Sequence, residues 1–275
     1  MRFNLFGKKG TVIPVVQVAG GIGMTMPLRS GVSSASLEPH LVRAFSIKAA
    51  PAVAIRINSP GGSAVQSHLI HKRIRQLAAE KKKAVIVAVE DVAASGGYMI
   101  ALAGDEIVVD ASSIVGSIGV VFAGFGFQRL IDKLGIERRV HTAGEAKVIL
   151  DPFQPEKEED VERLKALQRE VHESFIGLVK ACRPRLADNP DLFTGAFWSG
   201  ERAVALGLAD RVGDLHAVLK EKYGEDVELK AIGAERGFLR RRLGLGSRGG
   251  VEAQAMAEGA IAVIEERMLW NRYGL

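Results

Sequence analysis

Two alternating patterns of hydrophobic and polar positions organise the first part of the chain. Short runs rich in β-branched residues end in turns of small residues, and apolar positions at helical spacing follow each turn. The run V-A-I-R-I-N at residues 53–58 predicts a buried strand. The apolar positions behind it have the spacing of one helix face and are Val65, Leu69, Ile70, Ile74 and Leu77. This alternation is typical of an α/β fold with largely parallel strands.

The same plan recurs in the next unit of the chain. Residues 84–89 predict a strand, a turn of small residues surrounds Ser95, and a helix is expected through about Ala103. A third strand, E-I-V-V-D, follows. Ser63 and Gln66 have the spacing of a capping box, so we expect the first helix to begin at this pair.

Helical patterns dominate the second half of the chain. Residues 155–183 predict one long amphipathic helix that opens with acidic and closes with basic side chains. The stretch W-S-G-E-R-A-V-A-L-G-L-A-D predicts a helix ended by Gly207 and then a short strand. We expect one domain over residues 1–232, an Arg/Gly-rich linker over 233–250 and a terminal helix over 251–275. The apolar positions on one face of that terminal helix are Ile261, Ile264 and Met268.

The composition is that of a soluble chain with a sizeable core. Of 275 residues, 47% are hydrophobic and 25% charged. The single cysteine, Cys182, excludes an internal disulfide and a cysteine-based zinc site, and it suits a reducing, cytoplasmic compartment. The net charge of +5 is concentrated in the Arg-rich segment, which we interpret as a solvated linker. The alternative is that this segment contacts an anionic partner. In that case we expect the surface of a membrane as the partner and do not expect nucleic acid.

Two segments have some features of membrane signals. The apolar stretch after Lys8 and Lys9 is interrupted by Pro14, Gln17 and several glycines, and its β-branched residues favour a strand. Residues 111–128 carry no formal charge, but they contain four glycines and three serines. We therefore expect buried strands and turns there, with no transmembrane helix and no convincing signal peptide.

Two glycine turns follow two of the predicted strands. In open α/β sheets, reactive groups gather at the carboxyl ends of the strands, and both S-P-G-G-S and S-G-G lie at such ends. Backbone N–H groups are unpaired at helix N-termini, so Gly62 and Gly96 are candidate donors of an oxyanion hole. One such donor contributes about 3–4 kcal/mol to transition-state stabilisation. The alternative is that these glycines only permit tight turns.

Ser95 is a candidate nucleophile that needs a base. Three histidines are unsuited to be that base. His68 and His71 are expected to face solvent, and His172 lies within the predicted long helix. His141 is the histidine whose context fits best, since it follows a strand-like run. A lysine can act instead when burial lowers its pKa from about 10.4 toward 7 or 8. Lys147 is the lysine candidate because small and apolar residues surround it.

Five motifs occur in the order of one known family. R-I-N-S-P-G-G-S, V-A-A-S-G-G-Y-M-I-A, V-G-S-I-G-V, A-G-E-A-K-V-I-L-D-P-F-Q-P and W-S-G-E-R-A-V-A-L-G-L-A-D fall within residues 11–220. In them the chain resembles the signal peptide peptidase A family (protease IV) and its SohB relatives. The resemblance implies a serine peptidase with a Ser–Lys dyad and no metal or other cofactor. It also implies a Clp protease/crotonase-like fold of repeated strand–strand–helix units, here with a C-terminal helical extension.

The resemblance assigns a role to each candidate. Ser95 becomes the nucleophile and Lys147 the general base, 52 positions later. Gly62 and Gly96 become oxyanion donors, and Ser117 becomes the hydroxyl that orients the lysine. Implied substrates are extended, apolar peptides such as signal-peptide remnants or unfolded segments. The family also implies a homo-oligomer whose active sites are shared between protomers.

Two departures from the family pattern and two competing interpretations accompany this assignment. Family members commonly carry an N-terminal membrane anchor, whereas this chain starts almost at its first strand. Ala146 is smaller than the bulky residue often found before the lysine. A crotonase-like acyl-CoA enzyme would need a catalytic carboxylate near the turns, for which Glu90 and Asp91 are the neighbours. A non-catalytic binding module of the same fold would have no use for the dyad.

Overall fold

A parallel β-sheet forms the centre of the computed structural model, which describes residues 10–23, 25–26, 29–144, 146–233 and 267–275. Its central strands are largely buried, which explains why they appear in the sequence as nearly continuous apolar runs. The strands of this sheet are β1 (Val12–Ala19), β4 (Ala52–Ser59), β5 (Ala84–Ala94), β6 (Glu106–Val109), β7 (Ile114–Gly116), β8 (Phe197–Ser199), β9 (Arg211–Val212) and β10 (Glu228–Ile232). Two short strands, β2 (Thr25–Met26) and β3 (Arg29–Ser30), form a separate antiparallel pair.

Seven α-helices are described, and all but α4 pack on one face or the other of this sheet. They are α1 (Ser34–Phe45), α2 (Ala64–Lys81), α3 (Gly96–Ala101), α4 (Gln128–Lys133), α5 (Glu158–Cys182), α6 (Gly200–Ala205) and α7 (Leu215–Tyr223). One core packs the sheet against α1, α2, α3 and α5, and a smaller core on the other face packs it against α7. The α/β architecture expected from the sequence is confirmed.

The order of the strands places two turns side by side. The sheet runs β10-β1-β4-β5-β6-β9 with parallel pairing throughout, while β7 pairs parallel with β5 and antiparallel with β8. Since β4 and β5 are parallel neighbours, the turns that follow them lie at the same edge of the sheet. The first of these turns leads into α2 and the second into α3.

The predicted strand at residues 84–89 is longer in the structure. It extends to Ala94 because β7 supplies a second partner, with Val92 opposite Ile114 and Ala94 opposite Gly116. Because of this extension, the strand ends directly before Ser95. The local sequence pattern does not predict the extension, since it depends on pairing with a distant strand.

The predicted capping box at the start of α2 is only half formed. The Ser63 hydroxyl accepts a hydrogen bond from the Gln66 backbone N–H, at 3.3 Å, and therefore caps the helix as expected. The Gln66 side chain instead accepts a hydrogen bond from the Ser34 N–H, at 2.9 Å. It thereby links the starts of α1 and α2, and this tertiary partner displaces the local one.

The prediction of buried strands over residues 111–128 is wrong for the second part of that span. Residues 114–116 form β7, but the backbone after Gly119 leaves the sheet. The side chains of Val121, Phe122 and Phe125 are 69%, 56% and 65% exposed, because no strand or helix of the described chain covers them. Within the described residues, no helix is long and apolar enough to cross a membrane.

The C-terminal predictions fall mostly outside the described residues. These include nearly all of the Arg/Gly-rich linker as well as Ile261 and Ile264, so the domain boundaries remain predictions. Residues 267–275, called here the C-terminal segment, pack on the core of the same chain. Trp270 and Tyr273 contact Val92, Ala94 and Ile114, whereas Met268 is 58% exposed.

Candidate active site

Ser95 occupies a strained turn between β5 and α3. Its backbone has φ 51° and ψ −119°, a conformation that costs a non-glycine residue about 1–3 kcal/mol. The turn is held by hydrogen bonds on both sides. The Ser95 N–H donates to the Gly116 carbonyl at 2.8 Å, and the Met99 N–H donates to the Ser95 carbonyl at 2.9 Å. Such strain is typical of residues positioned for chemistry.

The glycine turn after β4 lies in contact with Ser95. A Cβ atom on Gly61 would lie 2.8 Å from the Cβ of Ser95, and one on Gly62 would lie 2.2 Å from the Ile22 carbonyl oxygen. Gly62 also has φ +136°, which side chains rarely tolerate. These positions therefore require glycine because the backbone passes so close to its neighbours.

Two unpaired backbone donors flank Ser95. The Ile22 N–H donates to the Gly61 carbonyl, and the Ser63 N–H donates to the Ile22 carbonyl, so neither hydrogen bond uses the N–H of Gly62. Neither that N–H nor the N–H of Gly96, at the first position of α3, has a hydrogen-bond partner in the described part of the chain. A Cβ on Gly96 would lie 3.4 Å from the Gly62 nitrogen, so the two groups are close neighbours. Two converging free amides can stabilise an oxyanion.

Ser95 opens onto two adjoining cavities. The larger has a volume of about 450 Å³ and contains both Gly62 and Gly96. Most of its other lining side chains are apolar and include Ile22, Met99, Val120, Val171 and Phe175. The smaller cavity, about 300 Å³, is shared by Ser95, Ser117 and His172. A peptide carbonyl at Ser95 would therefore have apolar space on one side and polar groups on the other.

Ser117 lies at the end of the neighbouring strand β7. It is buried, its φ is 54°, and its N–H donates to the Ala196 carbonyl at 2.7 Å. Like Ser95, it therefore holds a backbone conformation that serine rarely adopts. The structure brings Ser95, Ser117, Gly62 and Gly96 together around the two cavities.

Lys147 is the candidate that the structure does not bring to Ser95. Its side chain is exposed and lines neither cavity. It belongs to residues 120–153, called here the outer segment, in which nearly every described side chain before Asp151 is exposed or only partly buried. A single copy of the chain therefore leaves its lysine candidate in solvent.

The outer segment has internal structure of its own. The buried carboxylate of Asp151 forms an ion pair with Arg138 and accepts a hydrogen bond from the Phe153 N–H at 3.0 Å. The Phe127 N–H donates to the Pro152 carbonyl at 2.6 Å, and the rings of Phe127 and Phe153 lie 5.8 Å apart. These contacts join the two ends of the segment, and Lys147 lies between them.

His172 is the histidine that the structure places beside Ser95, and sequence reasoning missed it. It is half-buried on α5, with its Nε2 3.1 Å from the Ile118 carbonyl oxygen. His141, the histidine favoured by context, is exposed and lines neither cavity. The available signal was helical spacing: His172 precedes Phe175 and Val179, which are both buried, by three and seven positions.

His71 is buried, so the expectation that it faces solvent is wrong. Only 6% of the residue is exposed, and its Nδ1 lies 3.2 Å from the Met99 carbonyl oxygen. Burial lowers the pKa of His71 to about 4, although the hydrogen bond to Met99 opposes this shift. His71 therefore supports α3 as a neutral residue beneath the site, while His68 is exposed as expected.

The carboxylates that a crotonase-like mechanism would need point elsewhere. Glu90 accepts a hydrogen bond from Gln17 at 2.7 Å, and Asp91 accepts one from Asn58 at 2.6 Å. Neither residue lines the cavities at Ser95. The geometry therefore favours chemistry on the serine over chemistry on a carboxylate.

Comparisons with known proteins identify the family of the chain. Residues 77–230 match the model of peptidase family S49. A protein of Synechocystis named as a protease is 31% identical over 261 residues, which cover 92% of this chain and 91% of that protein. Further relatives carry the names SohB and SppA, so the resemblance stated above is confirmed.

A second relative carries a different name. A Na⁺/H⁺ antiporter NhaA of Brucella melitensis is 58% identical over 274 residues, which cover 96% of this chain. The match takes in 37% of that protein, so the chain spans little more than a third of its length. The antiporter name belongs to the whole of that longer protein.

A solved structure shows the same fold. It is a serine-to-alanine variant of the 1510-N membrane-bound stomatin-specific protease, with a TM-score of 0.52 and 18% identity. The match covers 81% of this chain and 98% of that one. The likeness shows that this chain shares the α/β fold of that protease, while the more specific Clp protease/crotonase-like description stays a prediction. On the family match and these relatives, the chain belongs to peptidase family S49.

Proposed function

We propose that the chain is an endopeptidase that cleaves extended, apolar peptides with Ser95 as nucleophile and Lys147 as general base. The observation that carries this proposal is the placement of Ser95 between two unpaired amides beside an apolar cavity. An extended peptide in that cavity would direct one carbonyl oxygen to the N–H groups of Gly62 and Gly96. Its carbonyl carbon would then face the serine hydroxyl.

The chemistry proceeds in two balanced steps. The Ser95 oxygen attacks the peptide carbonyl while its proton passes to the base, and the oxyanion accepts hydrogen bonds from the two amides. The base returns this proton to the leaving amine, the C–N bond breaks, and an ester remains on Ser95. A water molecule then gives a proton to the same base and attacks the ester. The base returns this proton to the Ser95 oxygen as the ester C–O bond breaks, which releases the acid product and restores the serine.

A neighbouring copy of the chain supplies Lys147 in this proposal. A lysine acts as a base only where its surroundings favour the neutral form, and one copy leaves Lys147 exposed. The outer segment that carries it also exposes apolar side chains that one copy leaves uncovered: Val121, Phe122, Phe125, Leu130, Leu134 and Ile136. Burying them against a second copy would stabilise an oligomer and desolvate the lysine at the same time. Ser117, in the smaller cavity, is positioned to orient it.

The apolar lining supports the substrate class. Ile22, Met99 and Phe175 offer space for apolar side chains, and the rims of the cavities are open. Peptides of this kind include signal-peptide remnants and unfolded segments. The proposal also places the chain in the cytoplasm, with peripheral membrane contact through the Arg-rich segment.

Labelling with a fluorophosphonate probe tests whether Ser95 is an activated nucleophile. The wild-type chain should react, and Ser95→Ala should abolish both labelling and peptide hydrolysis while leaving the fold intact. Ser46→Ala, an exposed serine at the end of α1, is the matched control and should behave as wild type. Equal labelling of Ser95→Ala and wild type would refute the assignment, and a wild-type chain that is not labelled would favour a non-catalytic or acyl-CoA role.

A further inference from the structure

The C-terminal segment forms one wall of the active-site cleft. Tyr273 is only 8% exposed, and its ring meets that of Phe197 edge to face at 5.1 Å. It packs on Val92 and Ala94, the residues of β5 that lead to Ser95. The segment is therefore joined to the strand that carries the nucleophile.

Arg272 of this segment borders both cavities at Ser95. Leu269, Arg272 and Tyr273 line the larger cavity, and Arg272 also lines the smaller one. No aspartate or glutamate lines either cavity, and within the described residues Arg272 has no ion pair with a carboxylate. Arg272 is thus a cation without a counter-charge at the edge of a largely apolar cleft.

A guanidinium in this position is suited to one kind of ligand. Its planar donors match the two oxygens of a carboxylate, and charge-assisted hydrogen bonds of this type are among the strongest in proteins. The surrounding apolar surface reduces competition from water. The side chain is exposed in the free chain, so a bound peptide would both reach it and shield it.

We propose that Arg272 is a specificity-determining residue that binds a carboxylate of the peptide substrate beside the scissile bond. The preferred substrate is then apolar at the cleaved position and carries a negative charge near it. An aspartate or glutamate side chain and a free C-terminal carboxylate supply the same chemistry. This inference rests on the proposed peptidase function, because it assumes that a peptide occupies the cleft at Ser95.

Peptide binding to the full chain with Ser95→Ala tests the inference without any turnover. The probes are fluorescent, apolar, C-terminally amidated peptides in which one Glu or one Gln is moved through each position. The unsubstituted peptide with a free C-terminal carboxylate is added to the set. Fluorescence anisotropy should give about tenfold tighter binding for a carboxylate in one register than for its neutral match, the size expected of one charged hydrogen-bonded contact. The register, or the free C-terminus, identifies the source of the carboxylate.

Variants of Arg272 decide whether this residue is the cause. In the Ser95→Ala background, Arg272→Gln should remove the preference for the carboxylate by weakening carboxylate-bearing peptides more than their neutral matches, while Arg272→Lys should retain part of the preference. Arg43→Gln, an exposed arginine on α1 without an ion pair among the described residues, is the matched control.

Three results would overturn the inference: no carboxylate preference in any register, a preference that survives Arg272→Gln, or an equal loss for all peptides in that variant. The last would mean that Arg272 only supports the wall. Failure of the peptidase proposal would instead appear as absent hydrolysis in the wild-type chain, whatever the binding data give.

Discussion

Ser95 and Ser117 both have positive φ angles, 51° and 54°, at the ends of adjacent strands. Each is held there by its own N–H, which donates to Gly116 and Ala196 respectively. A serine in this conformation is less stable than in an ordinary turn, so packing of the surrounding strands has to fix it. In this conformation both serines border the same small cavity.

The identity of the base can be read from the pH dependence of turnover. Lys147→Ala should lower kcat/KM by about 10²–10⁴-fold, the usual contribution of a general base. In the wild-type chain, kcat/KM should rise toward mildly alkaline pH, since a lysine has to lose its proton before it can accept one. Lys133→Ala, an exposed lysine at the end of α4, is the control.

His172→Gln distinguishes between Lys147 and His172 as the general base. If Lys147 is the base, this variant keeps the alkaline rise and most of the activity, because His172 only lines the smaller cavity. Retained turnover in Lys147→Ala combined with loss in His172→Gln would transfer the role to the histidine.

His71 should make the stability of the fold depend on pH. Its pKa falls from 6.5 to about 4 on folding, mainly through burial, so the unfolded chain binds more protons between these values. Stability is therefore complete above about pH 6.5 and is lost as the pH falls toward 4, by about 3 kcal/mol at most for a shift of this size. Denaturant unfolding at pH 7.5 and 5.0, at one protein concentration, measures the loss.

His71→Gln should flatten this acid-side loss, although it lowers stability at neutral pH. His216→Gln, at an exposed position of α7, should leave the pH dependence as in wild type. The same acid-side loss in His71→Gln as in wild type would mean that another group is responsible.

At the scale of elements, the sequence predicts what local spacing determines. β4, α2, β6 and α5 follow from apolar periodicity and turn residues, and the glycine turns follow from their place after strands. Features set by distant partners were not predictable: the extension of β5 depends on β7, and the Gln66 side chain bonds to Ser34. The burial of His71 depends in the same way on Met99 of α3, 28 residues away.

The outer segment is the element whose integrity should matter for activity more than for stability. Asp151→Ala removes the buried carboxylate that holds Arg138 and the Phe153 N–H, so the presentation of Lys147 should loosen. We expect kcat/KM to fall at least about tenfold, or 1.4 kcal/mol, with little change in Tm because α4 has no buried residues. Glu137→Ala breaks the exposed pair with Arg139 and should change neither quantity. Unchanged turnover in Asp151→Ala would show that the segment plays no part in catalysis.

At the scale of the whole molecule, one copy of the chain contains all but one part of the proposed site. Ser95, Gly62, Gly96 and Ser117 meet at one edge of the sheet, while Lys147 lies in the exposed outer segment. The family motifs in the sequence name these residues as candidates, but they do not place the lysine, because in the proposed site its position would depend on contacts between copies. The exposed apolar side chains of the outer segment are the physical reason to expect such contacts.

Mixing two inactive variants tests this shared dyad most directly. Ser95→Ala protein retains Lys147, and Lys147→Ala protein retains Ser95, so each alone should be inactive. If the dyad forms between copies, mixing equal amounts under conditions of subunit exchange should restore about a quarter of wild-type activity, as random pairing in a closed oligomer requires. If mixing restores nothing although the subunits exchange, or if a dilute monomer of the wild-type chain is fully active, the dyad is not shared and the account is wrong.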